Sequence, residues 1–353
     1  MRMLSRAGLL AVLILPVSVQ VPGLELTEGR IKTVLDEHSG RFTVAYRPDL
    51  STERYVPLLD DGDPSTSALW IRDGNDVHRL GRSSRFDQSI ERSSGGSASF
   101  HWSSARLEIT ERLTLVTTGG ARLANAVLVE LDIENVSETD REVEVRYLFD
   151  TLLAESRSAH FLADGVGRLR SETQVEPGPN DAWWESPDPD REAVAFRQVA
   201  DGEDVTTPAR IVFANWKRLA EGAFDYTVDE TRTFSLLPYS INDSAVAVYY
   251  PVRTLAPGES QRITALVGGV DVEDYDGFTA DPTGSAQLLD EAAREVERAL
   301  DRDTAEEELT AVDDILEEID TLLAADDTTA EDVEVVLEIL RRLEERRETY
   351  GAR

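Results

Sequence analysis

Few residues in this chain have types and spacing suited to chemistry. Trp183 and Trp184 stand side by side in "EPGPNDAWWESPDPDRE", a stretch dense in proline, glycine and acids. Flat apolar rings flanked by carboxylates can stack on a sugar while the acids accept hydrogen bonds from its hydroxyls, and indole also attracts cations. The same two rings can instead fold back as a plug for the interior. Asp150 and His160 lie just upstream, and with the tryptophans they form the candidate ligand-binding set. His38, His78 and His101 complete the imidazoles, and none of the four stands at metal-ligand spacing from another.

The familiar catalytic signatures are missing. No G-x-S-x-G elbow, H-E-x-x-H, P-loop or G-x-G-x-x-G occurs. Cysteine is absent, which excludes thiol nucleophiles, thiolate zinc sites, disulfides and a lipid-bearing leader cysteine. The acidic runs "DDGDPS" (60–65) and "DVEDYDG" (271–277) supply oxygens without the ligand spacing of a calcium loop, and they read as solvated turns. No catalytic residue, metal ligand or cofactor is assigned.

The elements that must position these side chains are strands. From Ile31 to about Val270 apolar residues recur with period two. In "ARLEITERLTLV" Leu107, Ile109, Leu113 and Leu115 alternate with polar neighbours. In "NAVLVELDIENVSETDREVEVRYLFDT" two such faces, Val127 to Ile133 and Val143 to Phe149, flank polar turn residues, which predicts a hairpin of two antiparallel strands. Further strands are expected in "RFTVAYR", "SALWIRD", "ASFHWS", "EAVAFRQV", "ARIVFANW", "AVAVYYP" and "QRITALVGG", the last a closing edge strand after a type II turn in "LAPGES". No long amphipathic helix separates them, so the expected fold is mainly β, a large antiparallel sandwich. Periodicity lapses between Thr151 and Arg191, which reads as a long loop and the natural place for a site.

The ends differ in character. Residues 1–24 read as a signal peptide: Arg2 and Arg6 precede a short apolar run from Gly8 to Val19. The protein is therefore expected to be exported, to the periplasm or beyond, with no membrane insertion after leader removal. Residues 25–280 are the β-sandwich domain, and residues 281–353 an acidic helical module. There, stripes such as Leu309, Val312, Ile315, Leu316 and Ile319 have helical spacing, and Thr304 with Glu307 and Thr328 with Glu331 form capping boxes. From Ser285 to Arg353 there are 23 acidic and 8 basic residues, a net of −15. The whole chain of 353 residues carries 69 acids against 36 Lys and Arg, a net of −33. Such a field repels nucleic acid and anionic lipid and favours cationic partners. Self-repulsion also favours a monomer.

The phrases "VEVRYLFDTLLAE", "PARIVFANW", "NDSAVAVYY" and "LAPGES" resemble bacterial exported proteins of the large β-sandwich kind and, more distantly, the supersandwich of galactose-mutarotase-like domains. The resemblance covers about residues 31–270. It implies a scaffold with a carbohydrate-facing concavity, but the family's catalytic histidine motif and late glutamate base are not found here. The resulting expectation is an exported, non-enzymatic binding or assembly protein, with carbohydrate or a cationic protein as partner. The alternative is a carbohydrate-active enzyme of supersandwich type with Asp150, His160 and the tryptophan loop lining its cleft.

Overall fold

A computed structural model describes residues 23–59, 66–93, 97–119, 121–178, 182–202, 204–234, 236 and 243–272. The first 22 residues, the "DDGDPS" run and the helical module lie outside these. Twenty strands and one short helix are described, and none of the described helices is long and apolar enough to cross a membrane. A four-stranded antiparallel sheet joins β1 (Gly23–Glu28), β2 (Ile31–Asp36), β3 (Phe42–Tyr46) and β4 (Val56–Pro57). β1 begins at Gly23, so the last two residues of the assigned leader pair with β2.

Two larger sheets face one another. The nine-stranded sheet runs β13 (Gly167–Leu169), β12 (Phe161–Ala163), β15 (Trp183–Pro187), β16 (Ala195–Val199), β20 (Ser260–Gly268), β10 (Ala126–Asn135), β9 (Leu107–Val116), β8 (Ser97–Ser103) and β7 (Asp87–Ser93). The seven-stranded sheet runs β14 (Thr173–Val175), β17 (Arg210–Asn215), β18 (Ser244–Tyr249), β11 (Arg141–Asp150), β5 (Ala68–Asp73) and β6 (Asp76–Arg79), with β19 (Arg253–Leu255) also on β11. Their inner faces share one core, to which β10 gives Val127, Val129, Leu131 and Ile133 and β11 gives Val143, Val145, Tyr147 and Phe149. Burial of each such side chain stabilises by about 1.5–3 kcal/mol, which makes strand parity the organising constraint.

Two sequence expectations need correction. β10 and β11 are not a hairpin: β10 pairs with β9 and β20, whereas β11 pairs with β5, β18 and β19. The polar residues between them carry the chain from one sheet to the other, so the two apolar faces meet across the core instead of lying side by side. Periodicity is identical in the two arrangements. Likewise "LAPGES" makes the expected turn, with Gly258 at φ +77° and Glu259 N donating to Ala256 O at 2.9 Å. The strand that follows, β20, is interior and not an edge, because β10 and β16 flank it.

The outer face of the seven-stranded sheet is roofed. Helix α1 (Trp216–Gly222) starts at Asn215, whose side chain accepts from Lys217 N and Arg218 N. With the following segment it buries Leu219, Phe224 and Tyr226 against Leu148, Val212, Ala247 and Tyr249. Buried Glu172 fastens the far end: it pairs with Arg218 and Arg232 and accepts from Tyr226 Oη (2.9 Å) and Asp229 N (3.1 Å). At the end of β20 a second clamp closes, where Tyr46 Oη donates to Asp271 Oδ2 at 2.9 Å and Asn125 Nδ2 donates to Asp271 O.

Candidate functional site

Across five neighbouring strands the outer face of the seven-stranded sheet presents one row: Arg79, Trp70, Arg146, Tyr249 and Arg210. Strand register places them side by side, Arg79 opposite Trp70, Trp70 opposite Arg146, Arg146 opposite Tyr249 and Tyr249 opposite Arg210. Guanidinium and ring alternate. Arg79 lies 5.7 Å and Arg146 5.8 Å from the Trp70 ring centre, and Arg146 lies 5.3 Å and Arg210 4.0 Å from that of Tyr249. Each contact is a cation–π pair, strongest where water is excluded.

Three of the five hold the roof. The last turn of a helix leaves carbonyls without intrahelical partners and carries a partial negative charge. Arg146 Nη2 donates to Leu219 O at 2.8 Å, Tyr249 Oη to Ala223 O at 2.9 Å and Arg210 Nη2 to Phe224 O at 2.8 Å. The β5–β6 side is less covered: Trp70, Arg72 and Arg79 are only half-buried there. Arg72 pairs with Glu144 and packs over Phe224. Burial, then the charges of Arg41, Arg82 and Arg146, pull the Arg79 guanidinium down to about 10.

At the far end of the same face of β11, Asp150 meets Glu155 and Asp243, with carboxylate oxygens all within 4.8 Å of one another. Parity puts Asp150 on Arg146's face, four residues and ~13 Å along the strand. Ser244 N donates to Glu155 Oε1 at 3.0 Å, and Asp243 O accepts from Trp216 N and Asn215 Nδ2, so the start of α1 sets the cluster. Three convergent carboxylates offer acceptors and acid–base groups, and the sequence reading identified only Asp150.

The other members of the predicted set have separate surroundings. The expected loop from Thr151 to Arg191 contains β12 to β15, and Trp183 and Trp184 open β15. Trp184 is 1% exposed, enclosed by Phe149, Phe161, Phe196 and Phe213, with Nε1 donating to Gln198 Oε1 at 2.9 Å. It is the plug of the two readings, because the proline- and acid-rich flanks disguise a five-residue strand. Trp183 points to the opposite face, where Arg197 stacks 4.1 Å from its ring centre. His160 is buried against Phe161 and Phe234, and burial pushes its imidazole down to about 4, so it stays neutral.

One further group was missed. Glu111 is buried between the sheets and accepts from Tyr147 Oη at 2.7 Å, and burial pushes its carboxyl up to about 7. It borders a small, partly open pocket with Arg41, Ser67, Trp102, Tyr147 and Phe149, with room for about one water molecule. The signal was available: Glu111 shares the inward parity of Ile109 and Leu113. Trp70 was legible in the same way, since it falls on the parity of Arg72 and not that of Leu69 and Ile71.

No family model matches the chain, and no curated protein matches it in sequence. Solved structures do. A galactose mutarotase-like protein from Lactobacillus casei is 10% identical with a TM-score of 0.44, covering 70% of this chain and 100% of that one. The Slr1438 protein of Synechocystis is 9% identical with a TM-score of 0.45, covering 72% and 99%. A galactose mutarotase-like protein from Clostridium acetobutylicum is 8% identical with a TM-score of 0.35, covering 69% and 98%. The likeness is distant and confined to the course of the chain.

Proposed function

We propose that this chain is an exported binding protein that holds a saccharide against the outer face of its seven-stranded sheet, without turning it over. The observation that carries this reading is the row Arg79, Trp70, Arg146, Tyr249, Arg210. A pyranose offers an apolar C–H face to an indole and a rim of hydroxyl oxygens to planar guanidinium donors. Trp70 takes the stacking role first given to Trp183 and Trp184. Residues 281–353 then serve as a helical module that docks a cationic partner on a monomeric protein. A glycan array probed with the full chain tests the reading, followed by fluorescence titration of any hit. Trp70→Ala should weaken binding roughly tenfold or more, and Trp183→Ala should leave it unchanged. The reverse pattern would move the ligand to the other sheet, and an array without hits would end the saccharide reading.

The Asp150, Glu155 and Asp243 cluster favours a second reading, a carbohydrate-active enzyme of mutarotase-like type, since paired carboxylates can exchange protons with a sugar hydroxyl. Polarimetry on freshly dissolved aldoses separates the two. Acceleration that disappears in Asp150→Asn would replace binding by catalysis.

A further inference from the structure

We infer that the saccharide held on this face carries an oxyanion group, a carboxylate or a sulfate, received by Arg146 and Trp70; this deepens the saccharide reading of the same face and rests on it. Arg146 is 0% exposed, yet its Nε and Nη1 have no hydrogen-bond partner. Its Nη2 donates to Leu219 O at 2.8 Å, and the guanidinium also interacts with the Tyr249 side chain. The indole Nε1 of Trp70, the neighbouring rung, is enclosed and likewise without a partner. Among the described residues no carboxylate forms an ion pair with Arg146. Its nearest acid along β11 is Glu144, whose carboxylate is paired with Arg72. In a chain with 69 acidic residues this omission is informative, because a buried charge is costly unless it is paired and hydrogen-bonded. The bidentate partners of Arg141 and Arg262 in this structure use Nε and Nη2. In Arg146 the two remaining donors lie on different edges of the guanidinium, so they call for more than one acceptor oxygen. A uronate or sulfated sugar supplies an oxyanion together with hydroxyl oxygens. Trp70 lies between Arg146 and Arg79, and both Trp70 and Arg79 are only half-buried, so the row is least covered at its β6 end.

Calorimetric titration of the full chain at fixed ionic strength tests this, with glucuronate and galacturonate, their neutral counterparts glucose and galactose, and free acetate and sulfate. The uronates should bind at least about tenfold more tightly than the neutral sugars. Trp70→Phe keeps a ring and removes the N–H, so it should reduce that preference while neutral-sugar binding persists. Arg146→Met should abolish the preference, and Trp70→Phe serves as the independent probe if loss of the Leu219 contact unfolds that variant. Equal affinity for charged and neutral sugars would overturn the oxyanion while leaving the saccharide site in place. Acetate and sulfate binding as tightly as the uronates, with no neutral sugar bound, would support the oxyanion and remove the saccharide. Binding of none of the six, or an unchanged preference in Trp70→Phe, would overturn the inference.

Discussion

Glu172→Ala is expected to destabilise the protein by about 3–5 kcal/mol, the cost of removing one partner from a buried charge network. The carboxylate is 1% exposed and serves four groups at once: the guanidinium groups of Arg218 and Arg232, the Tyr226 hydroxyl and the Asp229 amide. Its loss leaves two largely buried arginines without it and frees the far end of the roof over the seven-stranded sheet. Urea denaturation of the full chain measures the effect. A change below about 1 kcal/mol, the ordinary size for a single substitution, would mean that solvent replaces the carboxylate without difficulty and that the roof is held by its apolar contacts alone.

Glu111→Gln should change how stability depends on pH. The folded carboxyl titrates at about 7 against an ordinary 4.5, a difference worth about 3 kcal/mol. Below pH 4.5 the group is protonated whether the chain is folded or not, and it contributes no pH dependence. Between 4.5 and 7 the unfolded chain releases the proton and the folded chain retains it, so stability falls as pH rises, and above 7 the loss is complete. His160 acts in the opposite sense. Its folded value of about 4 lies below the ordinary 6.5, so its contribution is present above 6.5 and lost as pH falls towards 4. The two slopes oppose each other through the mildly acidic range and flatten the profile of the unaltered protein. The readout is therefore the difference between variant and parent, measured by urea denaturation at pH 4.5 and pH 8. That difference should move by about 3 kcal/mol in the variant's favour towards pH 8. Any fixed cost of burying the amide cancels between the two pH values. A pH-independent difference would show that Glu111 titrates near its ordinary value.

The strands were legible because parity is a local property. Alternation in "ARLEITERLTLV" identifies β9 wherever that strand is paired. Pairing is not local: the stretch from Ala126 to Asp150 reads the same whether its two halves lie side by side in one sheet or face each other across the core. For the same reason the cationic and aromatic row was invisible. Its five members come from five strands between Trp70 and Tyr249, and only sheet order makes them neighbours. Trp183 and Trp184 drew attention through their proline- and acid-rich flanks, a composition that marks turns but says nothing of the short strand between them. The residues that broke parity were the better guides. Glu111 on an inward face and Trp70 on an outward one are each unfavourable choices for packing alone, and each belongs to a polar feature of the folded protein.

The clamp at the end of β20 also has a mechanical side. β20 is held along its length by β10, from Glu134 opposite Ser260 to Ala126 opposite Gly268, and by β16 on its other edge. Immediately beyond it, Asp271 is tied to Tyr46 and Asn125, and Val272 is buried. A pull applied through the residues after 272 along the strand axis would reach this knot first and then load the ladder bonds of β20 in parallel, as shear, instead of opening them one at a time. A load entering there would therefore meet many hydrogen bonds at once before any of them could give way.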